Sequence, residues 1–333
     1  MEWYLPVIWA GLIGTAVAMY VVLDGFDLGV GILFPFTASE RERDQMMRSV
    51  APFWDGNETW LVLGGGGLWV AFPLAYSIIM PAFYIPVIVM LLALVFRGVA
   101  FEFRTVSRSK TWLNIAFTIG SGLAAFAQGV ILGGLIQGIK VENGAYAGGP
   151  LDWATWFCLL CGLAMVAGYG LLGATWLAMK TEGPVAWRAR RQAKVLLGAV
   201  LIFMGAVSLW TPLIESRVAA RWFSIPNIFY LWPVPILTVA VAYACWWWLE
   251  NERDVPPFLA AIALFLLGYL GLIISYYPFL VPPSLTVWDT AAAPASQIFM
   301  LLGTLVLLPM ILGYVAFVYW LFRGKVAEGE SYH

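Results

Sequence analysis

From Pro6 to Leu33 the chain is mostly apolar and uncharged except for Asp24 and Asp27, and runs of the same kind recur to its C-terminal region. Such runs cannot be wrapped inside one small soluble core. A membrane-crossing helix needs about 20 mostly apolar residues. The runs are continuous and lack the period-2 alternation of a barrel strand, so helices are the expected element. Composition agrees. Of 333 residues, 62% are hydrophobic and 11% charged, against about 25% charged in a soluble domain. Mean hydropathy is +0.85. The expected class is an all-α polytopic membrane protein.

Nine apolar segments are expected, roughly 6–33, 50–75, 78–103, 112–136, 153–179, 193–214, 227–249, 257–280 and 294–322. The connections between them differ in charge. With the N-terminus outside, inner connections carry Arg41, Arg43 and Arg48, then Arg104, Arg108 and Lys110. Further inner positions are Lys180, Arg188, Arg190, Arg191, Lys194 and Arg253, with Arg323 and Lys325 after the last segment. Outer connections carry only Lys140, Arg217 and Arg221. The excess of inner cations predicts an outside N-terminus and a cytoplasmic C-terminus. The opening "MEWYLP" lacks a basic stretch and a cleavage site follows nowhere clearly, which predicts a retained first helix.

The glycine spacing of "GLIGTAVAMYVVLDGFDLGVG" returns in "GLAMVAGYGLLGATWLAMKTEG". Two readings stand. Small residues at helix interfaces produce such echoes. A true duplication would instead give two four-helix bundles plus one peripheral helix, with bundles at 1–136 and 150–281. A ninth helix at 294–323 and a tail at 324–333 would follow.

Ionisable groups embedded in the segments are unevenly distributed. Asp24 and Asp27 end the first segment, Asp55 and Glu58 open the second in "APFWDGNETWLV", and Arg97 and Glu102 close the third in "FRGVAFEFR". Later segments have almost none away from their ends. Asp24 and Asp27 are three residues apart and share a helix face, as do Asp55 and Glu58. Four carboxylates beside one cation, Arg97, cannot all stay ionised in an apolar place. One that holds a proton near neutral pH can pass it on, and acidic chains within spans are known proton relays. The plainer alternative is an interfacial acid with its head in water, which suits Glu102 best. Arg97 is otherwise expected in a buried ion pair with Glu102.

Other features carry less. Gly64 to Gly67 lack the Lys-Ser/Thr of a phosphate loop and fit a close helix–helix or helix–cofactor approach. Cys158-x-x-Cys161 lies on an apolar helix without neighbouring Cys or His. Asp24-x-x-Asp27 is followed by apolar residues, unlike a calcium loop. Net charge is −1 and suggests no nucleic-acid partner. The only histidine is His333, so chemistry needing an imidazole within the membrane must borrow one from another chain.

"LDGFDLGVG", "APFWDGNETW", "FRGVAFEFR" and "GATWLAMKTEG", in this order, resemble subunit II of the cytochrome bd-type quinol oxidases. The form "WDGNETWLVLGG" resembles the cyanide-insensitive branch. The resemblance implies a bacterial inner-membrane complex that oxidises quinol and reduces oxygen to water. It implies a subunit I with two haems b, one haem d and the quinol site. Subunit II would bind no haem or metal and would have no complete active site alone. A small single-helix accessory subunit, and a structural quinone or lipid, are further members such a complex accommodates. By motif, Asp55 would serve proton delivery and Trp54, with Asn57 nearby, the subunit interface. Trp60 would lie on the oxygen route, and Asp27 and Arg97 match the family's acid and arginine. Where classical members have glutamine, this sequence has Glu58, which either adds a proton carrier or only marks the branch. A proton-coupled secondary transporter is the alternative from another class, and a purely structural partner subunit is a third reading.

Overall fold

A computed structural model describes residues 3–326. His333 and most of the expected tail at 324–333 lie outside the described residues. The chain is helical: α1 (Leu5–Leu33), α2 (Glu40–Val50), α3 (Trp54–Ala71), α4 (Pro73–Ala82), α5 (Tyr84–Arg104), α6 (Thr111–Gln137), α7 (Trp156–Lys180), α8 (Gly183–Ile214), α9 (Ser216–Phe223), α10 (Asn227–Leu231), α11 (Pro233–Glu250), α12 (Val255–Tyr276) and α13 (Pro294–Leu321). Two small hairpins interrupt it, β1 (Val141–Glu142) with β2 (Ala145–Tyr146), and β3 (Phe279–Val281) with β4 (Leu285–Thr286).

Among the described residues, eight helical stretches are long and apolar enough to cross a membrane. The second and third expected segments divide differently from the sequence reading. The chain breaks at Phe72 and again at Phe83, and the short α4 lies between, with Pro73 in its first turn. Proline suits that position because its missing N–H would be unpaired there anyway. α3 is not among the eight stretches, since its acidic first turn and glycine run dilute its apolar residues.

The central crossing is between α1 and α7. A Cβ placed on Gly29 would lie 1.9 Å from the Tyr169 carbonyl oxygen, and one on Gly173 would lie 2.3 Å from the Gly29 carbonyl carbon. Only glycine on both helices allows their backbones to touch, so the two glycine-rich stretches that echo each other in sequence meet in space. Phe26, Leu28, Leu171, Leu172 and Trp176 fill the core beside this crossing. The Gly64–Gly67 run approaches α1 at Val17 and Ile13 through Gly64 and Gly67, while Gly65 and Gly66 meet nothing within 4 Å. Cys158 and Cys161 are buried and free, the latter against α6 at Gly129 and Gly133.

The basic connections gather at one end. There α2 begins with a capping arrangement, Ser39 Oγ accepting from the Glu42 N–H and Glu42 Oε2 from the Ala38 N–H. Its acids then pair outward. Asp44 takes Arg104 and Lys110, Glu40 takes Arg104, and Glu42 takes Arg188 of α8. Lys180 donates to the Phe322 and Gly324 carbonyls, Gln45 to that of Val326, and Lys325 to Asp254. At the opposite end the β3–β4 hairpin, α4 and Trp9 form a second apolar cluster.

Gly29→Leu is expected to destabilise the chain by more than about 3 kcal/mol through overpacking against backbone. Gly11→Leu, where nothing lies within 4 Å, is the control. Thermal unfolding of the purified protein measures both. The Arg188 guanidinium, hydrogen-bonded to Glu42, holds that carboxyl below the usual glutamate range. A group lowered in the folded chain stabilises above its unfolded value, about 4.3, and the contribution is lost as pH falls toward the folded value. The gap in unfolding temperature between wild type and Glu42→Gln should therefore be open at neutral pH and close below about pH 4.

Candidate functional site

Asp24 and Asp27 are both wholly buried, at 0% and 1% exposure. Each has its own partner. Arg97, 1% exposed, donates from Nη1 to Asp24 Oδ1 at 2.6 Å. Asn57 donates from Nδ2 to Asp27 Oδ2 at 2.7 Å and to the Leu23 carbonyl at 3.2 Å. Asn57 Oδ1 in turn accepts from the Tyr319 hydroxyl at 2.9 Å. The ring of Tyr319 stacks on Phe53 at 4.5 Å, which fixes where that hydroxyl points. α13 otherwise lies largely outside the bundle, so this bond is one of its few polar ties to it.

A second polar chain crosses the bundle. Tyr169 donates to Gln128 Oε1 at 2.6 Å, and Gln128 Nε2 donates to the Tyr20 hydroxyl at 2.8 Å. Tyr20 precedes Asp24 by one helical turn, on the same face, and its hydroxyl lies close to the Asp24 carboxylate. Gln128, Tyr169 and Tyr319 escape a sequence reading because each lies apart from other embedded polar groups in an apolar helix, whereas the four-residue spacing of Tyr20 from Asp24 is a signal that could have found it. Only the tertiary fold aligns them.

Arg97 also lies under the Trp54 ring, with its guanidinium carbon 5.8 Å from the centroid. Trp54 leans on Phe101 at 5.2 Å. Trp60 is buried against Ala16 and Tyr20. The expected Arg97–Glu102 pair is not formed. Glu102 is exposed, because five residues along a helix of 3.6 residues per turn turn the side chain well away from Arg97. Asp24, distant in sequence, takes its place. Asp55 is exposed in the first turn of α3, and Glu58 is half-buried, within electrostatic reach of Arg97, Asp24 and Asp55. The structure thus places Asp24, Asp27, Arg97 and Asn57 in one buried site, Glu58 at its margin and Asp55 on the surface of this chain. Two carboxyl groups and one guanidinium in a dry interior hold a net negative charge unless one carboxyl keeps a proton.

Among the described residues no group of three or more His, Cys, Asp or Glu is placed to hold a metal ion. The family described as cytochrome bd terminal oxidase subunit II matches residues 5–322. The chain belongs to this family. It is 30% identical to cytochrome bd-I ubiquinol oxidase subunit 2 of Escherichia coli K12, over 98% of this chain and 96% of that protein. It is 28% identical to cytochrome bd ubiquinol oxidase subunit 2 of Bacillus subtilis, over 97% of each. The bd oxidase structure from Geobacillus thermodenitrificans superposes with a TM-score of 0.73 at 18% identity, covering 96% of this chain and 98% of that one. This likeness shows a shared fold.

Arg97→Ala is expected to cost about 3–5 kcal/mol by stranding the Asp24 carboxylate. The double variant Asp24→Asn with Arg97→Ala, which removes both charges, should recover much of that loss. Unfolding temperatures of wild type, Arg97→Ala, Asp24→Asn and the double variant measure the coupling.

Proposed function

We propose that the chain is the haem-free subunit II of a quinol oxidase that reduces oxygen to water in the bacterial cell membrane, and that its buried carboxyls handle protons drawn from the cytoplasm. Oxygen reduction consumes protons. If they are taken up inside while quinol releases its own outside, charge separates across the membrane. The haems belong to subunit I, since haem ligation commonly uses histidine and this chain has only His333. Quinol, membrane lipid, a structural quinone and a single-helix accessory subunit are the remaining expected associates.

The observation that carries the proton role is the count of charges: Asp24 and Asp27 are both sealed from solvent, and among the described residues the one buried cation beside them is Arg97, paired with Asp24. Asp55 and Glu58 supply carboxyls between the surface and that site. Asp55 would act at the face covered by subunit I, together with Trp54, Asn57 and Trp60. The end at which the basic connections gather is assigned to the cytoplasm, because inner connections are enriched in Lys and Arg. That places the N-terminus of α1 outside. The proposed architecture is two four-helix bundles, α3–α4 counting as one crossing, with α13 peripheral. The meeting of the echoed glycine stretches at the α1–α7 crossing supports a duplication.

Asp27→Asn retains an acceptor for Asn57 while removing the titratable group. It is expected to slow oxygen reduction at least about tenfold, a barrier rise of about 1.4 kcal/mol, with haem content unchanged. Asp55→Asn should slow it as well. Quinol-driven oxygen consumption and visible spectra of the purified complex measure both. Full turnover in both variants would leave the chain a purely structural partner.

A further inference from the structure

We infer that Asp24, Asp27 and Arg97 enclose an internal hydration site, a water position that joins the two buried aspartates. Each of the three residues commits one side of its head group to a partner already described. The other side has no partner at hydrogen-bonding distance and angle, the Tyr20 hydroxyl lying beside Asp24. Asp24 Oδ2, Asp27 Oδ1 and Arg97 Nη2 are all buried and unpartnered. Their residues are 0%, 1% and 1% exposed, so bulk water does not serve them. Such unpaired groups are rare in native interiors and call for a ligand.

Valence selects the ligand. With the proton of Asp27 on its free oxygen, since Oδ2 accepts from Asn57, the three atoms comprise two donors, Asp27 Oδ1–H and Arg97 Nη2, and one acceptor, Asp24 Oδ2. A metal cation would suit the carboxylate oxygens but face the guanidinium charge. An anion would suit Arg97 and face the Asp24 carboxylate. Water accepts from Arg97 Nη2 and from the protonated Asp27 Oδ1 and donates to Asp24 Oδ2, satisfying all three with the three bonds typical of a buried water. Placement is consistent. Asp24 and Asp27 share a face of α1, Arg97 is bonded to the first and within electrostatic reach of the second.

The site connects what are otherwise two separate chains. One runs Asp27–Asn57–Tyr319. The other runs from Asp24 past Tyr20 to Gln128 and Tyr169. The hydration site stands on donor and acceptor count. Its part as a junction for protons rests on the proton role proposed above.

A density map of the assembled oxidase that resolves ordered water tests the inference. The expected result is a water at hydrogen-bonding distance, about 2.6–3.2 Å, from Asp24, Asp27 and Arg97, lost in Asp27→Leu. If Asp27→Leu does not assemble, the wild-type map alone decides. Direct bonding of Arg97 Nη2 to Asp27, or to a side chain of the companion subunit, overturns the inference. Thermal stability should be equal in sodium chloride and choline chloride at matched ionic strength. A saturable, sodium-specific rise that Asp27→Asn abolishes would assign the site to a cation and overturn it too. A map that shows the water beside full turnover in Asp27→Asn keeps the hydration site and refutes the proton role.

Discussion

A charge in the interior of a membrane protein has no solvent to fall back on, and the Arg97–Asp24 pair is how this chain meets that constraint. Neither group is tolerable alone in a dry interior. Together they allow α1 and α5 to carry ionised side chains into the bundle. The surrounding polar groups then take their places around them. Asn57 and Tyr319 fix Asp27, and Tyr20 lies between Asp24 and Gln128. The pair does not neutralise the site, because Asp27 remains. The proposed proton role rests on this imbalance.

Two other features keep the pair in register. The Gly29–Gly173 contact brings α1 and α7 to backbone distance, which seats Tyr169 beside Gly25 and within reach of Gln128. At the basic end, α2 ties to Arg104, Lys110, Arg188 and the segment after α13 through ion pairs and backbone bonds. Pairs open to solvent on at least one side, as these are, are individually weak. Their number at one end, spread over five connections, makes them a rim that limits how far the helix ends can separate.

Much of this was legible in the chain. Apolar runs gave the helices, loop cations the common end, and the three-residue spacing of Asp24 and Asp27 their shared face. The partner of Arg97 was not legible. Local spacing favoured Glu102, but a buried cation takes whichever carboxyl the tertiary fold delivers, and helix rotation sends Glu102 outward. Asp55 and Glu58 read alike as embedded acids. Their position in the first turn of α3 leaves Asp55 on the surface of this chain and only Glu58 near the buried site. Tyr169, Tyr319 and Gln128 gave no signal, since isolated polar residues in apolar helices show their purpose only when helices from distant parts of the sequence are packed together.

The central claim is that Asp27 carries a proton that the working complex uses. A redox-induced infrared difference spectrum of the assembled oxidase tests it most directly. The account predicts a carboxylic-acid carbonyl band that shifts in heavy water and disappears in Asp27→Asn. A spectrum without such a band, or one whose band survives in Asp27→Asn, would contradict it.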